Sequence, residues 1–264
     1  MEKLRVIERQ VFYYPILALL FFILKVAVTN YDSIKYEFVF YEKDPRYAYP
    51  ITNNRITDTT LLCISFVLPI GIALIAFVVK KLTLRKDYII LIHIISSICL
   101  AIFTTMVFTD VIKHTVSELR PNAFVLGNYA GCGEQVMTCT NTDFGVLGDY
   151  SRFYGSSTNV KDARSSFLSG HTSYAFCTAT TIIHMSSYFL GNHHYIISIA
   201  SYLVASYIGI TRIIEYEHHI HDVVAGVILG AMISQVIWTE TKKQLVKIHQ
   251  QKYAPAQSLN ITPL

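Results

Sequence analysis

Residues 60–79 read TLLCISFVLPIGIALIAFVV, twenty residues without one formal charge. A helix of that length rises about 30 Å, the thickness of a bilayer's hydrocarbon core. An amphipathic soluble helix would carry a polar face, and this stretch has none. Working outward, five more segments have the length and character to cross: about 11–29, 88–112, 171–190, 195–211 and 219–238. The 171–190 segment, HTSYAFCTATTIIHMSSYFL, is the least apolar of them. Composition agrees, because only 15% of the 264 residues are charged and 52% are hydrophobic. A soluble domain carries about 25% charge. The expected fold is all-α: a polytopic membrane protein, a six-transmembrane-helix bundle forming a single membrane domain over 1–264. Pro15 and Pro69 fall inside spans, where neighbouring helices make a proline tolerable. Only a weak small-x-small candidate, VAVTNYDS, follows the first run, so it reads as a retained helix rather than a signal peptide.

Orientation follows from charges close to the span ends. Lys3, Arg5 and Arg9 precede the first span; Lys80, Lys81, Arg85 and Lys86 fill one tight turn; Lys242, Lys243 and Lys247 follow the last. Both termini are therefore expected in the cytosol, with short tails at about 1–10 and 240–264. The long loops at about 30–59 and 113–170 then face outward or into a lumen. Cys132 and Cys139 share the second of these loops, where an oxidising compartment favours a disulfide between them. The tyrosine-rich stretch at 36–49 is expected to lie on the membrane surface. The net charge of +4 is scattered and no nucleic-acid motif is present, so no nucleic-acid partner is expected.

This topology gathers three polar clusters at the outer face. KHTVSELRP spans Lys113 to Pro121, SGH spans Ser169 to His171, and TRIIEYEHHIHD spans Thr211 to Asp222. Their inventory suits a phosphate ester. Lys113, Arg120 and Arg212 supply positive charge, and guanidinium forks match phosphate oxygens. Ser169 and Gly170 stand at the start of a helix, where free N–H groups favour an anion. Thr211 adds a hydroxyl. His171 and His218 are candidates for acid–base or nucleophilic work. Four residues on a helix would put His218 and Asp222 on one face, letting the carboxylate fix the imidazole tautomer. His219 then points about 100° away, and His221 reaches the edge of the cluster. Each piece alone is common: a lysine at a span end is usually an interfacial anchor, and a His/Asp pair is usually a surface hydrogen bond. The order, spacing and shared face of all three together are not common.

The three clusters resemble the type 2 phosphatidic acid phosphatase superfamily, and within it the integral-membrane lipid phosphate phosphatases. The family pattern is Lys, six residues, Arg-Pro; then Pro-Ser-Gly-His; then Ser-Arg, five residues, His, three residues, Asp. Lys113 with Arg120-Pro121, Ser169-Gly170-His171, and Arg212 with His218 and Asp222 keep every spacing. Leu168 replaces the proline and Thr211 the serine, and threonine keeps the hydroxyl. The resemblance implies that His218 is the nucleophile, Asp222 its orienting partner, and His171 the acid that protonates the leaving alcohol. It implies phosphate binding by Lys113, Arg120, Ser169, Gly170, Thr211 and Arg212, with no metal and no cofactor. It further implies substrates such as phosphatidate, lysophosphatidate, ceramide 1-phosphate or sphingosine 1-phosphate, met at the outer or lumenal face. The expected setting is the plasma membrane or an endomembrane, with membrane lipids around the chain and a homo-oligomer as one assembly.

Other readings remain on the same residues. The motifs recognise phosphate rather than what carries it, so a sugar phosphate or an isoprenoid diphosphate fits as well. A lipid-binding relative without activity would be expected to lack His171, His218 or Asp222. A transporter would place ionisable groups along the spans, where only Lys25, Asp110, His93 and His184 stand. HHIHD has metal-ligand residue types, yet three nearby cations would repel a divalent ion.

Overall fold

A computed structural model describes residues 2–30, 37–79, 85–132 and 145–253. Among them are eight α-helices: α1 (Glu2–Asn30), α2 (Asp58–Val79), α3 (Arg85–Val116), α4 (Ala123–Leu126), α5 (Ser157–Ala163), α6 (Gly170–Leu190), α7 (Tyr195–Ile214) and α8 (Ile220–Tyr253). The long helices α1, α2, α3, α6, α7 and α8 pack side by side, and α4 and α5 belong to the connection between α3 and α6. The protein is an all-α multi-pass membrane protein. Four helices, within α2, α3, α7 and α8, are long and apolar enough to cross a bilayer among the described residues. The apolar part of α1 over Tyr13–Thr29 is shorter.

The outer surface of the bundle is apolar. Ile16, Leu19 and Ile23 of α1, Val67, Ile75 and Val78 of α2, Ile196 and Leu203 of α7, and Met232 and Val236 of α8 are all exposed. Such a belt would be a liability in water and is the ordinary face a bundle shows to lipid. α6 differs because it is central, packing against α2, α3, α7 and α8. Its Ser, Thr, Ala and Cys residues are buried against protein. That explains its low apolarity: it meets helices, not acyl chains, and small residues allow close approach. The closest approach is to α8. A Cβ on Gly230 would stand 2.1 Å from Ser173 O, and one on Gly226 2.8 Å from Ser169 O. Both obstacles are backbone, so only glycine permits this crossing.

The last helix continues past the expected span end at Trp238 to Tyr253, so residues 240–253 of the expected tail are helical. Its extension is amphipathic: Thr241, Leu245 and Ile248 are buried, while Lys242, Lys243, Val246 and Lys247 are exposed. Thr241 Oγ1 donates to Ser97 Oγ of α3 at 2.8 Å, anchoring the extra turns. The tyrosine-rich stretch does not lie flat on a surface in its described part. Phe40 and Tyr47 are buried in a cap with Leu119, Phe124, Tyr129 and Phe153. Tyr129 Oη donates to Glu42 Oε1 at 2.9 Å, and Gly148 N donates to Phe40 O at 2.8 Å, tying the two long loops together. Cys132 is buried in the same cap and disulfide-bonded, whereas Cys139 lies outside the described residues.

Lys25 of α1 forms an ion pair with Asp110 of α3 and donates to Thr29 Oγ1 at 2.7 Å, so this intramembrane charge is neutralised. His184 shares a 2.7 Å hydrogen bond with Gln235. His93 packs edge-on against Tyr14 with its Nδ1 unpartnered.

Candidate active site

The three polar clusters meet at one end of the bundle. Lys113 stands in the last turn of α3, His171 in the first turn of α6, and Arg212 in the last turn of α7. The Lys113 stem runs beside the start of α6, since a Cβ on Gly170 would lie 3.8 Å from Lys113 Cε. Lys113 is within electrostatic reach of both His171 and His218.

His218 is not on a helix, which corrects the expected geometry. It sits in the turn between α7 and α8, one residue before the N-cap His219. The contact with Asp222 survives for a different reason. Asp222 is the third residue of α8, and its Oδ2 accepts the His219 N–H at 2.8 Å, the backward arm of a capping box. Capping thereby draws the carboxylate toward His218, whose Nδ1 lies 3.7 Å from Asp222 Oδ2. That gap exceeds a hydrogen bond, and His218 Nδ1 is buried without another partner. The turn itself is pinned by Arg212 O, which accepts N–H groups from Glu217 at 3.1 Å and His218 at 3.3 Å.

Asp222 is fully buried and held from a second direction. Ser166 Oγ donates to its Oδ2 at 2.5 Å, and the Ser169 N–H donates to the Asp222 backbone carbonyl at 3.1 Å. Ser166 therefore fixes the carboxylate that faces His218. No spacing in the sequence singles it out, because it acts across a gap of fifty-six residues. Burial chiefly lowers the His218 pKa to about 3; Lys113 and Arg120 add to that shift, and Asp222 opposes it. The imidazole is therefore neutral at physiological pH, as a nucleophile must be.

The two arginines are held by carboxylates. Arg120 Nε donates to Asp162 O at 2.9 Å, Nη2 pairs with Asp162 Oδ1 at 2.5 Å, and Nη1 pairs with Glu217. Arg212, almost fully buried, pairs with Glu215 and reaches Asn54 Oδ1 at 3.4 Å. Glu215 Oε1 in turn accepts the Arg55 N–H at 2.7 Å. No motif spacing in the sequence marks Asp162, Glu215, Glu217 or Asn54. Glu215 and Glu217 stood inside the third motif, where acidic residues offered no obvious use beside a phosphate.

Three other expected residues have partners within the protein. Ser169 is the N-cap of α6, and its hydroxyl is engaged with Thr172 N at 3.4 Å and Thr172 Oγ1 at 2.9 Å. Thr211 Oγ1 donates back to Ile208 O at 2.7 Å. His171 Nε2 lies 3.0 Å from Ile56 O and 3.7 Å from Asp58 Oδ1, so the segment entering α2 covers it.

Glu118, His221 and Asp222 bring three ligand-type atoms within 4.8 Å of one another. His221 Nε2 lies 2.9 Å from Glu118 Oε1 and 3.2 Å from Asp222 Oδ1. As an N–H donor His221 satisfies Glu118, whereas its approach to Asp222 lacks hydrogen-bond alignment and Oδ1 stays unpartnered. Burial first, then Asp222, raises the Glu118 pKa. His221 thus bonds one of the two carboxylates and lies beside the other.

All three clusters fall inside residues 94–245, the stretch matched by the family model described as the PAP2 superfamily. The chain belongs to the PAP2 superfamily. Among curated relatives, "Lipid phosphate phosphatase 2" of Arabidopsis thaliana is 27% identical over 199 residues, covering 70% of this chain and 62% of the relative. "Lipid phosphate phosphatase 1" of the same plant is 28% identical over 196 residues, covering 70% and 54%. "Phospholipid phosphatase 2" of Homo sapiens is 24% identical over 233 residues, covering 83% and 78%. This PAP2 chain thus spans less than two thirds of either plant protein. No solved structure matches it.

Proposed function

We propose that this PAP2-superfamily chain is a lipid phosphate phosphatase that works through a phosphohistidine, without a metal. One observation carries the reading: a buried, neutral His218 with Nδ1 turned to an Asp222 that Ser166 and the His219 N–H hold in place. Closing the 3.7 Å gap fixes the Nδ1–H tautomer and leaves Nε2 as the attacking lone pair.

In the first step His218 Nε2 forms a bond to phosphorus while the ester P–O bond breaks. The leaving alkoxide takes a proton from His171, one that the ring holds once the phosphate's negative charge is beside it. In the second step His171 removes a proton from water as the water oxygen attacks phosphorus. The N–P bond breaks, inorganic phosphate leaves, and both histidines return to their starting protonation. Arg120, Arg212 and Lys113 stabilise charge on the phosphoryl oxygens, the work a divalent ion does elsewhere. The carboxylates behind the arginines keep the forks aimed while the site is empty. The Gly170 backbone at the start of α6 adds the favourable end of a helix dipole.

The lipid part of the reading rests on position. The site lies at the end of a bundle with an apolar belt, so a substrate held in the bilayer brings its phosphate to that depth. α1, α2, α3, α6, α7 and α8 would give six spans in one domain, with both termini cytosolic and the site on the outer or lumenal face. Phosphatidate, lysophosphatidate, ceramide 1-phosphate and sphingosine 1-phosphate are the substrates that fit.

The test is phosphate release from phosphatidate and lysophosphatidate in mixed micelles with excess chelator. His218→Ala is expected to abolish release. His193→Ala, an exposed histidine outside the site, is expected to keep it. Release that chelator abolishes would overturn the metal-free mechanism. Release confined to glucose 6-phosphate or farnesyl diphosphate would overturn the substrate class and leave the dyad standing.

A further inference from the structure

At the end of α6 and α8 remote from the site, a groove of about 590 Å³ opens between the two helices. Fourteen residues separate His184 from the start of α6, about 21 Å along the axis. The groove's floor is Trp238, buried and stacked on His184 with ring centroids 6.1 Å apart and planes 11° from parallel. The His184–Gln235 hydrogen bond closes one side. Lys242, Lys243 and Lys247 line the rest with Thr239 and Val246.

Three ammonium groups concentrate positive charge on one groove. Lys243 is partly neutralised, since its Nζ lies 3.1 Å from Glu240 Oε2. Glu240 is also occupied by Gln244 at 3.1 Å and feels Lys247 at longer range. Among the described residues neither Lys242 nor Lys247 forms a salt bridge. The lysines project in fixed directions because α8 continues through them as helix, with Thr241, Leu245 and Ile248 clamped against the bundle.

The surroundings identify the anion's source. Val246 lines the groove and is exposed, as are Val236 and Met232 further along α8 in the apolar belt. Tryptophan and lysine follow that belt in the order found at a membrane interface. A free anion would have no use for the apolar flank, whereas a lipid would lay its chains along it. Basic pockets between spans at this depth suit acidic headgroups.

We propose that the α6–α8 groove binds the headgroup of an anionic phospholipid, at a site separate from the phosphatase centre and independent of that centre's assignment. The headgroup phosphate meets Lys242 and Lys247, with His184 and Gln235 beside it, while the acyl chains run down Val236 and Met232.

Trp238 is the only tryptophan in the chain, so its fluorescence reports this groove alone. The full-length protein in mixed micelles at physiological ionic strength is titrated with phosphatidylglycerol carrying brominated tails, which quench tryptophan on contact. Brominated phosphatidylcholine is the neutral control. Phosphatidylglycerol is a diester, so a monoesterase would not consume it. The expected result is saturable quenching with about tenfold preference for the anionic lipid, lost in Lys242→Gln/Lys247→Gln. Unfolding midpoint and phosphate release should be unchanged in that variant, which separates loss of binding from loss of fold. Equal quenching by the two lipids would overturn the proposal, as would a preference the double variant retains. Relief of the anionic quenching by millimolar inorganic phosphate would reassign the groove to a soluble anion; persistence of the quenching supports the lipid.

Discussion

The two histidines of the site are held in opposite ways. His218 is locked by residues of the bundle's own helix ends: its N–H on Arg212 O, its ring beside Asp222, and Asp222 on Ser166 and the His219 N–H. His171 stands on the first turn of α6, and its ring nitrogen touches only the segment leading into α2, at Ile56 O and Asp58. Asp58 is almost wholly exposed, and the Ile56 carbonyl belongs to the loop that enters α2. A group that must attack along one line benefits from a fixed backbone and a fixed carboxylate facing it across one short gap. A group that must give a proton to one oxygen and take one from another benefits from a tether it can leave. The difference in support thus parallels the difference in proposed role.

The sharpest way to break this comparison is Asp222→Asn. An amide cannot hold an Nδ1–H as a carboxylate does and favours the wrong tautomer. Phosphate release should fall by about 10⁴-fold. His171→Ala removes an acid–base group and should cost about 10²–10⁴-fold, with a larger loss on substrates whose alcohol leaves poorly. If Asp222→Asn proved milder than His171→Ala on an activated ester, the locked histidine would not be the nucleophile.

What the sequence disclosed divides along the same line. Lys113, His171, Arg212, His218 and Asp222 were legible because each motif is short and its spacing is kept. The supports were not legible, since Ser166, Asn54 and Asp162 touch the site only through chain reversals that bring distant segments together. The approach of His218 to Asp222 is made by a capped turn, not by a helix face. In the bundle, α6 was the weakest span by composition because it is the one surrounded by other helices. The Gly226 and Gly230 pair that lets α8 lie on it was present in the sequence as a four-residue small-residue repeat and went unread.

Ser166→Ala sharpens the comparison by loosening the lock without removing it. The serine donates to a buried carboxylate, and a hydrogen bond to a charged group contributes about 1.5–3 kcal/mol. Phosphate release should drop by about 30-fold in kcat with KM little changed, because the serine touches Asp222 and not the substrate. A change in KM alone would place Ser166 in substrate binding. Retention of full kcat would mean that the His219 N–H suffices to hold the carboxylate.

The smallest effect is on stability and follows from the protonation of His218. Its pKa is lowered, mainly by burial, from 6.5 to about 3, so the folded state resists a proton that the unfolded chain accepts. The stability tied to the neutral ring is fully present above about pH 6.5 and is lost progressively as pH falls toward 3. At pH 5.5 the loss is about 1.4 kcal/mol, which lowers the unfolding midpoint of a chain this size by about 3–6 °C. His218→Asn has no ring to protonate, so between pH 8 and pH 5.5 its midpoint should fall less than the wild type's by that amount. Parallel midpoints for the two proteins would show that His218 accepts its proton in place. The lock would then be looser than the lattice of Asp222, Ser166 and Arg212 implies, and His218 would stand closer to His171 than the structure sets it.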